Sequence, residues 1–365
     1  MILKLLLDIN NPYNIINIMS KVYFIDFSKV KMNLKLLKKS LDMAGAKEIV
    51  TESSLVSVKM HFGEMGNIAY IKPAYINYIC DYIKGLGGKP FITDTNTLYK
   101  GMRSNTVDHL NNAFFNGFGN HPLVIADGMR GESFVEIKSE GDIFKSLFIA
   151  ADIFYSDVLF CVSHFKGHDL TGFGGAIKNM GMGCAARKGK LAMHSSLCPS
   201  IDKEKCIGCF ECIKWCESKA IERINKKAFI NSEKCIGCGL CIDVCKYGAI
   251  KIKWDTESSD IQRRIAEYAS GAIKKGRTIF VNIINDVSPQ CDCYSYNGHS
   301  LVNDIGLLVS TDIVAIDEAS YNLVNERSGR NVFKEVHKKI NPEIQLEHAE
   351  KIGIGKREYN LINVS

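Results

Sequence analysis

The residues best equipped for chemistry in this chain are eight cysteines in two copies of one spacing. The first run is Cys206-x2-Cys209-x2-Cys212-x3-Cys216 and the second is Cys235-x2-Cys238-x2-Cys241-x3-Cys245. The flanking text repeats too: Glu204-Lys205-Cys206-Ile207-Gly208-Cys209 returns as Glu233-Lys234-Cys235-Ile236-Gly237-Cys238, and Ala220-Ile221 as Ala249-Ile250. Such gaps let three thiolates of one short loop reach three corners of a 4Fe–4S cubane, and Gly208 and Gly237 let the loop turn tightly. The fourth cysteine leaves the loop and, in two-cluster proteins of this spacing, binds the other cluster. The expected ligand sets are Cys206, Cys209, Cys212 and Cys245 for one cluster, and Cys235, Cys238, Cys241 and Cys216 for the second. Paired C-x2-C also serves zinc, but zinc-ribbon spacing matches these runs poorly.

Residues 199–252 resemble a bacterial-type two-cluster ferredoxin. The proline that usually follows the last cysteine is replaced by Glu217 in one copy and Lys246 in the other. Each replacement restores a backbone N–H and adds a charge, two of the factors that tune cluster potentials.

A second group of polar residues follows predicted strands: His61 and Glu64, Asp94 and Asn96, Asp127, His164, Lys166 and His168. Ligands of open parallel sheets bind in the crevice beyond the strands' carboxyl ends, so these residues are expected to line one pocket. One Asp at a strand end usually caps a helix or makes a turn; four strand ends bearing Asp or His form a pattern. Gly172, Gly174 and Gly175 precede a short helix from Ala176, an arrangement that exposes N–H groups to an anion. Lys166, Lys178, Arg187 and Lys190 add positive charge there. The blander reading is a tight turn beside solvated bases, and no G-x-G-x-x-G nucleotide fingerprint is present in register. His164 and His168, with Cys291 and Cys293, are candidates for an extra metal site. The two thiols read equally as redox groups or as inert buried sulfur, and Cys80 reads as core.

The elements that must position these groups alternate. Strands are expected at Lys21–Phe27, Leu55–Met60, Phe91–Thr93, Leu123–Ala126, Val158–Val162, Thr278–Ile284 and Ile305–Val309. Helices are expected at Met32–Ala44, Pro73–Leu86, Asp260–Lys274 and Ile316–Glu326. Short apolar strands between helices predict an α/β fold, a mostly parallel sheet with helices on both faces. The expected organisation is residues 1–19 as a disordered extension or mis-start, 20–198 as the first part of the α/β domain, 199–252 as an inserted α+β two-cluster ferredoxin-like domain, and 253–365 as the second part.

The 365 residues are 46% hydrophobic, enough for a sizeable core, and 46 basic against 40 acidic residues leave a formal charge of +6. That mild excess does not make a nucleic-acid stripe. No run reaches the 18 or more apolar residues of a membrane span. Residues 1–18 begin apolar but meet Asp8 and Pro12 without a small-residue cleavage site. Eight of fourteen cysteines assigned to clusters require a reducing compartment, so a cytoplasmic location is expected.

The blocks VKMHFGE (58–64), FITDTNTLY (91–99), SHFKGHDLTGFGGAIKNMGMG (163–183) and CDCYSYNGHSLVNDIGLLVSTDIVAIDEA (291–319), with the cysteine runs, resemble the DUF362 family of ferredoxin-bearing iron–sulfur proteins. The resemblance spans roughly residues 20–345. It implies an α/β domain carrying two 4Fe–4S clusters in an anaerobic cytoplasm, and it assigns no substrate. The expectation that joins both sites is an electron-transfer protein, an oxidoreductase or its electron-delivering component, acting with a redox partner protein or small-molecule acceptor. Lys166, Lys178 and Arg187 would hold an anionic ligand while His61, His168 or Asp94 move protons. The alternatives are a non-enzymatic ferredoxin-like carrier that docks to partners, and a metal-centre maturation factor.

Overall fold

Alternation of side chains along each strand builds two cores, one on each face of a single large sheet. In β1 (Ser20–Asp26), Val22 and Phe24 join one core while Tyr23 and Ile25 join the other. The computed structural model describes residues 19–29, 34–194, 198–252 and 257–365. The expected extension at residues 1–19 lies, but for Met19, outside them. Seven further strands complete the sheet: β2 (Leu55–Lys59), β3 (Lys89–Asp94), β4 (Leu123–Ile125), β5 (Val158–His164), β6 (Thr278–Ile284), β7 (Gly306–Ser310) and β8 (Tyr359–Asn363). Their order is β8-β1-β7-β6-β5-β2-β3-β4. Only β7 runs antiparallel to its neighbours, β1 and β6; the other pairings are parallel. The expected mostly parallel α/β sheet is therefore observed, with two antiparallel pairings where residues 285–305 return the chain without a helical crossover.

Helices cover both faces. Pro73–Gly85 starts with proline at its first turn, where no N–H is needed, and buries Ile76, Ile79, Cys80 and Ile83 in one core. Burial pushes the Cys80 thiol up to about 12, as suits plain core. On the other face Ala176–Cys184, Ser258–Ala272 and Ile313–Ser328 pack together. The last runs three residues further forward than its apolar pattern implies, because Asp312 caps it by accepting from the N–H groups of Val314 and Ala315. Two small hairpins escape the sequence reading: Phe134–Lys138 with Ser146–Ala150, and Lys166–His168 with Gly172–Gly174.

Residues 198–252 form a small unit whose ends meet, since Ser200–Ile201 pairs antiparallel with Ile250–Lys251. Between them lie one hairpin, Ile221–Ile224 with Lys227–Ile230, and two short helices, Glu211–Lys214 and Leu240–Val244. Paired ends let such a unit sit between Arg187–His194 and Ser258–Ala272 without separating them. Among the described residues no helix is long and apolar enough to cross a membrane.

Candidate functional site

The chain walks outward from β2 through β3 to β4, then crosses to place β5 on the opposite side of β2. That reversal opens a crevice at the strands' carboxyl ends, where ligands of such sheets bind. A cleft of about 920 Å³ lies there, lined by Lys59 at the end of β2 with His61 and Glu64 beyond it, Asp94 at the end of β3 with Thr95 and the segment Thr97 to Arg103 beyond it, Ser163 and His164 at the end of β5 with Lys166 and His168 beyond it, and Asp292 to Ser295 after β6. Asn179 fastens the switch point: its amide nitrogen donates to the Val162 carbonyl and Ser163 Oγ, and its oxygen accepts from Lys59 Nζ at 2.7 Å.

Of the residues expected to gather, His61, Glu64, Asp94, His164, Lys166 and His168 do line the cleft. Asn96 and Asp127 do not. The Asn96 N–H and side-chain amide both donate to Asp127, at 2.9 and 3.0 Å, behind the wall. The floor is an ion-pair network that sequence reading missed. Lys59 meets Asp94 at 3.0 Å, and Arg103 meets Glu64 at 3.1 Å and Asp94 at 3.7 Å. A lysine closing a strand otherwise free of charge was the available signal. Burial opposes the Asp94 charge, but Lys59 and then Arg103 hold its carboxyl well below the usual range. A carboxylate ionised that firmly anchors the two cations of the cleft floor. His61 is pushed far down, by burial and then by Arg103, so it stays neutral. Its Nδ1 accepts from the Gly63 N–H at 3.0 Å, which leaves Nε2 as the ring's donor.

The sequence-level anion cradle is already filled. The N–H groups of Ala176 and Ile177 donate to the Asp317 carboxylate at 2.7 and 2.8 Å, and Asn282 donates to it at 2.7 Å. The helix start thus holds an internal anion delivered from Ile313–Ser328. Gly174, Gly175 and Lys178 remain in the cleft wall, whereas Gly172 does not line it. Arg187 is fully buried elsewhere, donating to the carbonyls of Arg130 (2.6 Å) and Ser104 and lying 3.9 Å from Asp243 in the cysteine unit. It fastens that unit rather than serving the cleft.

The expected extra metal group is likewise rearranged. His164 Nδ1 meets both Asp292 oxygens at 2.9 and 3.0 Å and its Nε2 meets the Asn285 carbonyl at 2.8 Å, so neither nitrogen is left for a metal. Among the described residues no three His, Cys, Asp or Glu side chains converge to hold one ion. Cys291 instead faces ammonium groups, Lys178 Nζ at 3.4 Å and Lys166 Nζ at 3.6 Å. The Cys293 thiol's hydrogen bond, and then Lys166, Lys178 and His168, hold the Cys291 thiol far below its ordinary range against the pull of burial. Cys293 moves the opposite way, because the same hydrogen bond and its burial favour its proton.

The cysteine unit repeats its backbone as well as its text. Gly208 and Gly237 have φ of 73 and 67°, Phe210 and Gly239 have 61 and 74°, and Lys219 and Gly248 have 52 and 60°. At Gly208 a side chain is excluded twice over, by that left-handed φ and by the Lys226 carbonyl 2.2 Å from where a Cβ would stand. The Ala220 N–H points at Cys216 Sγ (3.2 Å) and the Ala249 N–H at Cys245 Sγ (3.3 Å). Cys206, Cys209, Cys212 and Cys245 line one small cavity with Phe210 and Ile250. Burial, and then Cys245, Cys209 and Cys206, push the Cys212 thiol up to about 11. Burial and then Cys238, Cys235, Cys212 and Cys216 raise Cys241. The fourth cysteine of the second run therefore lies with the three of the first. Each thiolate of a cubane takes its own iron, so this spacing suits a cluster without meeting at a single ion.

The unit abuts the cleft through residues 95–103. Leu98 packs in the unit's core with Cys206, Cys212 and Cys245, Lys100 Nζ donates to the Cys245 carbonyl, and the Tyr99 hydroxyl donates to the Cys293 carbonyl at 3.3 Å.

Fold and site together define an α/β protein with a polar switch-point cleft and a cysteine-rich unit against its wall. The chain belongs to the family described as domain of unknown function DUF362, whose model matches residues 56–322. No curated protein matches it. Among solved structures it is similar to the lactate racemase apoprotein from Thermoanaerobacterium thermosaccharolyticum, at 12% identity and a TM-score of 0.37 over 73% of this chain. This chain spans about half of that one, 51% of its length.

Proposed function

We propose that the chain is an iron–sulfur electron-transfer protein, the electron-delivering part of an oxidoreductase whose reacting ligand sits in the α/β cleft. The observation that carries this reading is the crossing of one cysteine run into the other: Cys245 lines one cavity with Cys206, Cys209 and Cys212, in a unit whose left-handed turns recur at matching positions of the two runs. Cys206, Cys209, Cys212 and Cys245 would hold one 4Fe–4S cluster, and Cys235, Cys238, Cys241 and Cys216 the other. When bound, each cluster supplies one-electron chemistry. The chain's own contribution is positional. The Ala220 and Ala249 N–H groups donate to cysteine sulfur, a contact that favours the thiolate. Leu98 and Tyr99 join the unit to the cleft over two consecutive residues. In the cleft, Lys166 and Lys178 orient an anionic group, and neutral His61 offers a hydrogen bond.

The test is iron and sulfide content with paramagnetic resonance on anaerobically purified protein. Two cubanes are expected, reducible by dithionite, with Cys209→Ser losing one and Cys238→Ser the other. A colourless protein loaded with zinc would end the reading. A protein whose clusters survive both substitutions would end the ligand assignment.

A further inference from the structure

Cys291 and Cys293 sit in a β-turn closed by the Tyr294 N–H on the Cys291 carbonyl at 3.1 Å. The turn holds the two thiols on one tight bend, two residues apart. The Lys166–His168 hairpin clamps it from one side: the Gly167 N–H donates to the Ser288 carbonyl at 2.8 Å, and Tyr294 Oη meets Asp169 at 2.5 Å. Two ammonium groups, at 3.4 and 3.6 Å, address one sulfur. Cys293 lines the cleft, whose wall carries six lysine and arginine side chains against four carboxylates. Other buried thiols lack this setting. Burial pushes Cys161 up to about 12 and Cys184 to about 11, where they stay protonated.

We propose that Cys291 and Cys293 are a redox-active dithiol that exchanges with small anionic disulfides entering the cleft, a catalytic site separate from the eight cysteines of the two runs. Reactive thiols occupy electropositive, partly accessible places of this kind. The Cys291 thiolate, beside the cleft-lining Lys166 and Lys178, attacks one substrate sulfur; the substrate S–S bond breaks and the first thiolate leaves, taking the proton of Cys293. The Cys293 sulfur then attacks Cys291, the mixed disulfide breaks, and the second thiolate leaves, taking a solvent proton. Two electrons have moved from the dithiol to the substrate, and one S–S bond has replaced another. Returning the pair to its singly protonated state takes two electrons and one proton from a thiol reductant. That the iron–sulfur unit supplies those electrons in the cell rests on the proposed function above; the exchange itself does not.

The experiment equilibrates the full anaerobic chain with β-mercaptoethanol and its disulfide, quenches with acid, alkylates free thiols and maps the peptides. A Cys291–Cys293 disulfide is expected to appear and vanish with the ratio, while Cys80, Cys161 and Cys184 stay reduced. Lys178 favours the thiolate and hence the reduced form, so Lys178→Met should move the half-point about tenfold towards disulfide, about 30 mV for a two-electron couple. Oxidation by dithiodiglycolate, an anion, should outpace that by cystamine, a cation, by about tenfold or more. Both thiols alkylated at every ratio would overturn the proposal, as would a half-point that Lys178→Met leaves in place; equal rates with the two disulfides would overturn its anionic preference. Iron-free protein that still titrates would sink only the electron-transfer reading, and iron-loaded protein that does not titrate only the dithiol.

Discussion

Replacing Asp94 with alanine is expected to remove about 3–5 kcal/mol of folding stability, the range for breaking a buried pair by deleting one partner. The reason is what it leaves behind. Lys59 and Arg103 keep only 1% and 2% of their side chains exposed, and Asp94 faces both, at 3.0 and 3.7 Å. Glu64 still serves Arg103, but Lys59 retains only neutral oxygens, the Met60 carbonyl and the Asn179 side chain. The same group predicts an acid limb. Its folded pKa is depressed, so its contribution is complete above the ordinary value of 3.8 and is lost as pH falls below it. Urea midpoints of wild type should therefore fall steeply below about pH 4, and those of Asp94→Ala should fall less. A stability loss under about 1 kcal/mol, with parallel pH curves, would show that the cleft floor is not held by this network.

Gly181→Ala should be nearly as damaging, at about 3 kcal/mol, by a different mechanism. Gly181 lies on Ala176–Cys184 where that helix crosses Ser258–Ala272, and a Cβ there would stand 2.1 Å from the Ile265 carbonyl oxygen. Backbone cannot rotate away as a side chain can, so the helices must separate. Their separation would draw Lys178 and Asn179, on the same helix, away from Cys291 and Lys59. Gly85→Ala is the control: it ends a helix with nothing within 4 Å of the added methyl. It should gain roughly 0.5–1 kcal/mol from backbone entropy alone. Thermal or urea unfolding of the pair decides the matter, and equal midpoints would refute the close-packing account.

Much of the architecture was legible because it depends on near neighbours. β6 is where its apolar run predicts, Pro73 opens its helix, and the cysteine runs fold into copies because their spacings and the glycines at 208 and 237 are copies. The short hairpin at Lys166–Gly174 escapes a pattern-based reading because its two strands are three residues each and rich in glycine, which weakens any period-two pattern. Its partners are the turns at Pro289 and Pro342, far along the chain. The pocket roster was legible in kind and wrong in detail. Asp at a strand end proved a cleft anchor at position 94 and a buried partner of Asn96 at position 127, and nothing local separates the two.

By itself, the sequence determined the two four-cysteine loops, the α/β alternation and the crevice at the strand ends, since each is a property of spacing along a few consecutive residues. The tertiary structure alone decided which charges meet. Asp317 fills the helix start at Ala176, Arg187 turns to Asp243, and Cys291 is set between Lys166 and Lys178. Those contacts join segments brought together by the strand order of the sheet, and at 3–4 Å the strength of an ion pair is set by that approach and by the exclusion of water, neither of which is written in any local pattern.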